Sequence, residues 1–384
     1  MYSTCNKLTK SEIINILSSN NKILFEEANK TKIEKKGNTI HLRALLEFTN
    51  VCRCNCLYCG LRADNKEVIR YRLTEDEIIN SAKKAIQLGF KTIVLQGGED
   101  KFFSTEKLCK TIKELKEFDI AITLSIGEKT YDEYKELKKA GADRYLLRIE
   151  TTDENLYNQL HPNMSHKNRF KCLEDLKSLG FETGTGSLVG LPNQTIESLA
   201  NDILFFKELN ADMVGIGPFI PHPNTPLKDE KIDNFDLAMR VMATTRLILP
   251  DINIPATTAM ETLKKDGQII ALTSGANVVM LNITETIYKD KYEIYPNKFG
   301  SNCEIESSIS ELKSKLQREN IKFSLIFYVY LLLITKCSSM VIQLPLLYNL
   351  VASSTPTYLK CHDSCIYPVI SSFPLGYLKI SPYL

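Results

Sequence analysis

The 384-residue chain has almost no net charge. Its 48 Lys and Arg stand against 46 Asp and Glu, mixed along most of the length, for a net +2. That balance gives no support to a nucleic-acid or acidic-surface partner. The first residues, MYSTCNKLTKSEI, lack the basic and apolar regions of a secretory leader. No apolar run reaches the ~20 residues that cross a bilayer. The nearest candidate, Phe323–Thr335, is cut off by Lys336 and then Pro345, so no membrane span is expected. The string from Gly184 to Pro192 lacks the G-x-G-x-x-G spacing and the acidic partner of a dinucleotide loop. A cytoplasmic location is expected. In a reducing compartment, clustered cysteines point to metal or catalysis before disulfides.

Residues 1–40 read as a helical lead-in, with Ile13, Ile14, Ile16 and Leu17 on one face and Thr9 or Ser11 as cap. From 41 to 322, short apolar strands alternate with amphipathic helices that stop at small residues such as Gly89, Gly141 and Gly180. The strand candidates are 41–48, 92–96, 120–125, 144–150, 182–188, 213–217, 253–258 and 277–281. Parallel βαβ units in that number predict an α/β fold, a complete (β/α)8 TIM barrel. An open sheet with fewer strands stays as the alternative, because 253–258 and the last strand are weak. Residues 323–384 are an atypical apolar tail whose only formal charges are Lys336, Lys360, Asp363 and Lys379. The tail is expected to be poorly ordered or loosely packed.

The chemistry concentrates after the first strand. Cys52, Cys56 and Cys59 are spaced C-x3-C-x2-C. Three thiolates in one loop suit three irons of a 4Fe-4S cubane and leave the fourth open. Zinc is the rival, but a closed zinc site needs a fourth protein ligand, and no CxxC or HxxxH follows before the tail. Reactive or merely structural thiols are the bland alternatives. Cys54 breaks the spacing, and Cys5, Cys109 and Cys172 read as small buried residues. A barrel gathers its active site at the C-terminal ends of its strands. There stand Gln96-Gly97-Gly98-Glu99, Ser125, Arg148, Glu150, Ser187, Gly190, Pro218, His222, Asn224 and Thr257-Thr258.

The cysteine spacing, with Tyr58 before the last Cys, resembles the signature of radical S-adenosylmethionine (SAM) enzymes. The resemblance implies that the open iron chelates SAM and that the reduced cluster cleaves it to methionine and a 5′-deoxyadenosyl radical. It implies SAM contacts from Gln96, Gly97, Gly98 and Glu99, from Ser125, Glu150 and Arg169, and from Gly190 in the strand-five segment. The strings CLYCGLR (56–62), GSLVGLP (186–192), GIGPFIPHP (215–223) and IPATTAM (254–260) narrow the likeness over about residues 10–300. They resemble the maturases of FeFe-hydrogenase of the HydE type, which are similar to biotin synthase in fold. That family implies assembly of the hydrogenase H-cluster di-iron subcluster from a small organometallic or sulfur-bearing substrate, with other hydrogenase maturation proteins as partners. It places Arg148, Thr258 and Tyr292 in the catalytic cavity, with Met213, Thr257 and Tyr295 beside them. The alternative is a biotin-synthase-like radical SAM enzyme acting on a small organic substrate. A zinc-binding or scaffold protein is the rival from another class. One departure stands out: Tyr295-Pro296-Asn297-Lys298 is followed only by Cys303, and the next cysteine is Cys337. A second cluster is not expected. Cys361-His362-Asp363-Ser364-Cys365 is read as no metal site.

Overall fold

Several helices open with a threonine followed three residues later by glutamate, and that pair closes a reciprocal cap. In the computed structural model Thr9, Thr74 and Thr130 accept from the backbone N–H of Glu12, Glu77 and Glu133, whose carboxylates accept from the threonine N–H in return. The structure describes residues 8–19, 22–231, 234–324, 327–329, 346–348, 356–361 and 365–370.

The lead-in is two helices, α1 (Lys10–Ser18) and α2 (Lys22–Lys36). Then follow β1 (Thr39–Thr49), α3 (Glu75–Gln87), β2 (Thr92–Gly97), α4 (Thr105–Leu115), β3 (Ala121–Ser125), α5 (Tyr131–Ala140) and β4 (Arg144–Leu146). After α6 (Glu154–Leu160) and α7 (His166–Ser178) come β5 (Glu182–Thr185), β6 (Leu188–Val189), α8 (Ile196–Glu208), β7 (Met213–Val214), β8 (Gly217–Pro218) and α9 (Phe235–Ile248). Then come α10 (Thr258–Leu263), α11 (Gly267–Leu272), β9 (Val278–Asn282), α12 (Thr286–Lys289), α13 (Ile305–Arg318) and β10 (Lys322–Ser324).

β1, β2, β3, β4, β5 and β7 lie side by side in that order, all parallel, with β9 and β10 also paired to β1. The sheet curls with Leu45, Glu47 and Ser125 facing the cavity inside it, while the alternate residues Leu46, Ile93, Ile122 and Leu124 face outward and pack in one core with helix faces such as Ile78, Ile79, Ala82 and Ala85 of α3. Truncating one such large core residue to alanine costs about 2–5 kcal/mol.

The later strands are shorter than their sequence suggests. The expected 182–188 and 213–217 each break in two, and β6 and β8 form a ladder of their own. Glycine is the reason at one point: a Cβ on Gly186 would lie 1.9 Å from the Gly215 carbonyl oxygen. The expected strand 253–258 forms only two isolated parallel bridges, Met213 with Asn253 and Pro255 with Val278. Pro255 has no N–H to donate. Arg246 of α9, fully buried, donates to the carbonyls of Pro250, Ile252 and Gly275 and to Asn277 Oδ1 at 2.8–2.9 Å. A side chain thus satisfies backbone acceptors in the turns before this segment and before β9.

The chain divides into two compact units, 1–346 and 347–384. The second contains an antiparallel pair, Pro356–Cys361 with Cys365–Ile370. Most of the expected 323–384 tail, Cys337 and the His362–Ser364 stretch lie outside the described residues, as does Cys5. Among the described residues no helix is long and apolar enough to cross a membrane.

Candidate active site

β1 ends at Thr49, and the chain turns at once into the cysteine loop. Thr49 Oγ1 donates to Asp100 Oδ2 at 2.9 Å, and Arg72 Nε donates to the same oxygen at 2.6 Å. The loop then lies directly on the exit of β2. A Cβ on Gly98 would be 2.3 Å from the Val51 carbonyl oxygen and 2.7 Å from Cys52 Cβ. Glycine is required here so that two backbones can touch. The Glu99 N–H donates to Cys52 Sγ at 3.4 Å. The Glu99 carboxylate accepts from Arg53 at 2.9 and 3.0 Å and from the Glu128 N–H at 2.9 Å. Glu99 therefore braces the loop.

Tyr58 braces its other side. Its hydroxyl is 2.8 Å from His161 Nε2, and His161 Nδ1 is 2.8 Å from the Tyr157 carbonyl. A carbonyl only accepts, so Nδ1 carries the proton and Tyr58 donates to Nε2. Burial pushes the His161 pKa down to about 3, which keeps the ring neutral.

The cysteine loop roofs a cavity of about 390 Å³ lined by Cys52, Cys56 and Cys59, by Gln96 to Glu99, and by Ser125, Arg148, Glu150, Arg169, Thr257, Thr258, Tyr292 and Tyr295. That volume suits a small-molecule or cofactor site. Most candidates, taken from seven separate stretches of sequence, thus line one cavity. Gly190 does not. Its N–H donates to Gln194 Oε1 at 2.7 Å, φ is +89°, and a Cβ there would meet Asn234 at 2.4 Å. It serves a turn, and Leu188 is the strand-five residue on the cavity wall. Met213 also lies elsewhere, with Sδ 3.1 Å from Arg43 Nη1, beside a separate cavity of about 10 Å³. Pro218 lines the main cavity; His222 and Asn224 do not.

Three thiols in one loop on the cavity suit the three protein-held irons of a cubane. Among the described residues no three His, Cys, Asp or Glu side chains converge closely enough to grip one metal ion. A cubane takes each thiolate on a different iron. Burial pushes the Cys59 thiol up to about 12 and raises Cys56 further. Thiolates at these two positions need a cationic group beside them, which an iron would supply.

Three buried polar atoms on the cavity wall have no hydrogen-bond partner: Glu150 Oε2, Arg148 Nε and Thr257 Oγ1. Glu150 Oε2 lies 3.1 Å from Arg148 Nη2, an ion-pair distance without hydrogen-bond angles. Glu150 has φ +66°, the left-handed region, which a glutamate keeps only where its surroundings hold it. Arg169 is buried, with Nε donating to Glu128 Oε1 at 2.7 Å and Nη1 to the Arg148 carbonyl. Ser125 pairs with Gln96 across β2 and β3.

Sequence reasoning missed one feature of the cavity. Lys298 Nζ donates to both oxygens of Glu47 at 2.8 and 2.9 Å and to the Tyr292 carbonyl at 3.0 Å. Asn282 donates to Glu47 Oε2 at 2.7 Å. Nothing in local sequence joins residues 47 and 298.

Residues 46–206 match the radical SAM superfamily and residues 216–339 the biotin and thiamin synthesis associated domain. The chain is 52% identical over 278 residues to the [FeFe] hydrogenase maturase subunit HydE of Thermotoga maritima, covering 72% of this chain and 80% of that protein. It is 31% identical over 261 residues to 3-methylornithine synthase of Methanosarcina acetivorans, covering 67% and 73% respectively. In fold it resembles the crystal structure of methylornithine synthase, with TM-score 0.73 and 24% identity over 84% of this chain and 97% of that one. It also resembles the FeFe-hydrogenase maturase HydG of Carboxydothermus hydrogenoformans, with TM-score 0.72 and 23% identity over 85% and 78%.

Proposed function

The chain belongs to the radical SAM superfamily, on the branch of the [FeFe] hydrogenase maturase HydE, and from that premise we propose how its residues serve maturation of the hydrogenase. It is a radical SAM enzyme whose cofactors are a 4Fe-4S cluster and SAM. When bound and reduced, the cluster supplies the electron that splits SAM into methionine and a 5′-deoxyadenosyl radical.

In this reading Cys52, Cys56 and Cys59 hold the cluster, and Tyr58 and Glu99 keep their loop in place. The backbone of Gln96–Glu99 faces the SAM amino group. The Glu150 carboxylate accepts from ribose hydroxyls, and Ser125 and Arg169 face the methionine carboxylate. Arg148, Thr258 and Tyr292 meet the substrate deeper in the cavity, where orphaned donors suit an anionic species. Support comes from Arg148 Nε and Thr257 Oγ1, buried in residues of the cavity lining without a hydrogen-bond partner, and from Glu150 Oε2, which has only the ion-pair contact to Arg148. The substrate is a small organometallic or sulfur-bearing species in assembly of the H-cluster di-iron subcluster, and other maturation proteins are the partners. A reducing cytoplasm keeps the thiols available to iron. We also read the sheet as a closed eight-stranded barrel, supported by hydrogen bonds through 253–256: Val214 N to Asn253 O and Ala256 N to Val278 O, both 2.9 Å.

The observation that carries the reading is the shared cavity of the three thiols and the Gln96–Glu99 and Glu150 segments. Its test is anaerobic reconstitution with iron and sulfide, then reduction in the presence of SAM. The expected products are 5′-deoxyadenosine and methionine; an iron-loaded protein that yields neither refutes the reading. Labelled SAM offered with small organic substrates addresses the biotin-synthase-like alternative, which predicts adducts or turnover that the maturase reading does not.

A further inference from the structure

Asp202 is a buried carboxyl that the proposed chemistry leaves unused. It stands on α8 with none of its surface exposed. Its Oδ1 accepts from the N–H and the hydroxyl of Thr152, both at 2.7 Å, and its Oδ2 from Ser187 Oγ at 2.8 Å.

Those two partners flank Glu150. Thr152 follows it by two residues, and Ser187 pairs with it across a parallel bridge. The Glu150 N–H donates to the Gly186 carbonyl at 3.0 Å, and the Leu188 N–H donates back to the Glu150 carbonyl at 3.1 Å. The Ser187 carbonyl also accepts from Arg148 Nη2 at 2.6 Å. One carboxyl thus ties together both neighbours of a glutamate held at φ +66°.

We propose that Asp202 is a positioning residue of the cofactor pocket: it clamps Thr152 to Ser187, keeps Glu150 in its left-handed turn, and so aims the Glu150 carboxylate into the cavity. The proposal rests on the reading that Glu150 binds SAM. Burial raises the Asp202 pKa to about 7, against the pull of the Thr152 and Ser187 hydrogen bonds; the Glu150 charge, from the exit of β4, adds to the rise. The strand-five exit contributes the Ser187 hydroxyl, and Arg148 joins this hydrogen-bond network through the Ser187 carbonyl. Hydrogen bonds to an ionised carboxylate are roughly twice as strong as neutral ones. The clamp therefore tightens as pH rises through about 7.

The test measures SAM binding by equilibrium dialysis to reconstituted protein at pH 6 and pH 8, for wild type, Asp202→Asn, Ser187→Ala and Glu150→Gln. Iron content and thermal midpoint are recorded for each. Taking the ratio of variant to wild-type Kd cancels the titration of SAM itself. For Asp202→Asn the expected ratio is about 10 at pH 8 and near 1 at pH 6, with iron content unchanged and the pH 8 midpoint raised. A variant that is only damaged would lose affinity and stability together at both pH values. Ser187→Ala, which removes one arm, is expected to weaken binding several-fold at pH 8, and it carries the test if Asp202→Asn does not fold. Ratios near 1 at both pH values for the folded clamp variants, with Glu150→Gln weakened, overturn the proposal and leave Glu150 in its role. Unchanged binding by Glu150→Gln overturns the assignment of Glu150 itself.

Discussion

Removing the Lys298 ammonium isolates a buried charge. Lys298 is 9% exposed and Glu47 2%, and they meet at the wall of the main cavity. In Lys298→Met the Glu47 carboxylate keeps one side-chain donor, Asn282 at 2.7 Å, and loses two contacts at 2.8 and 2.9 Å. Breaking a buried pair from one side costs about 3–5 kcal/mol, mostly the desolvation of the charge left behind. In a unit of this size that lowers the thermal midpoint by roughly 5–10 °C. The double variant Glu47→Gln/Lys298→Met removes both charges and is expected to recover most of the loss, because replacing both partners is often near neutral. Differential scanning calorimetry of wild type, Lys298→Met, Glu47→Gln and the double variant, all loaded with iron, gives the comparison. A single variant within about 1 kcal/mol of wild type, or a double variant no better than the single, would show that the two charges do not depend on each other.

Other outcomes follow from the same geometry. Cys56→Ser is expected to lose cluster iron; unchanged iron content would remove Cys56 from the ligand set. Tyr58→Phe leaves His161 Nε2 without its donor, so stability should fall by about 1–3 kcal/mol, and the cluster should be lost sooner on warming, as followed by iron release. Asp202 has a raised folded pKa of about 7 against 3.8 unfolded, so its contribution is full below pH 4 and lost as pH rises through 7. Asp202→Asn should therefore gain on the order of 3–4 kcal/mol relative to wild type between pH 4 and pH 8 in urea titrations. Removing residues 347–384 should leave iron content and SAM cleavage unchanged; loss of either would tie that unit to the site.

What was legible in the sequence was what short-range chemistry decides. The Thr74–Glu77 box and Gly141 at φ +113° end their helices where the residues say. The cysteine spacing and Gly97-Gly98 mark the cavity roof because each is a local backbone requirement. Illegible features are those decided by partners far apart in sequence. Asn253–Ala256 makes only isolated bridges, where Pro255 removes a donor, and Arg246 binds the carbonyls of Pro250 and Ile252 that lead into it. Met213 turns toward Arg43 at the other cavity, filling space left by Gly184. Gly190 was expected at the cofactor from the resemblance of its segment, and the distant Asn234 that packs against it in the turn could not be read locally. Glu47–Lys298, Tyr58–His161 and Asp202 with its two hydroxyl partners join residues that no periodicity connects.

The most direct measurement is complementation. The full chain, and its Cys56→Ser variant, would be expressed in a strain that lacks its HydE-type maturase, and FeFe-hydrogenase activity assayed in extracts. The account predicts activity restored by the wild-type chain and not by the variant. Soluble, iron-loaded wild-type protein that restores none would contradict it.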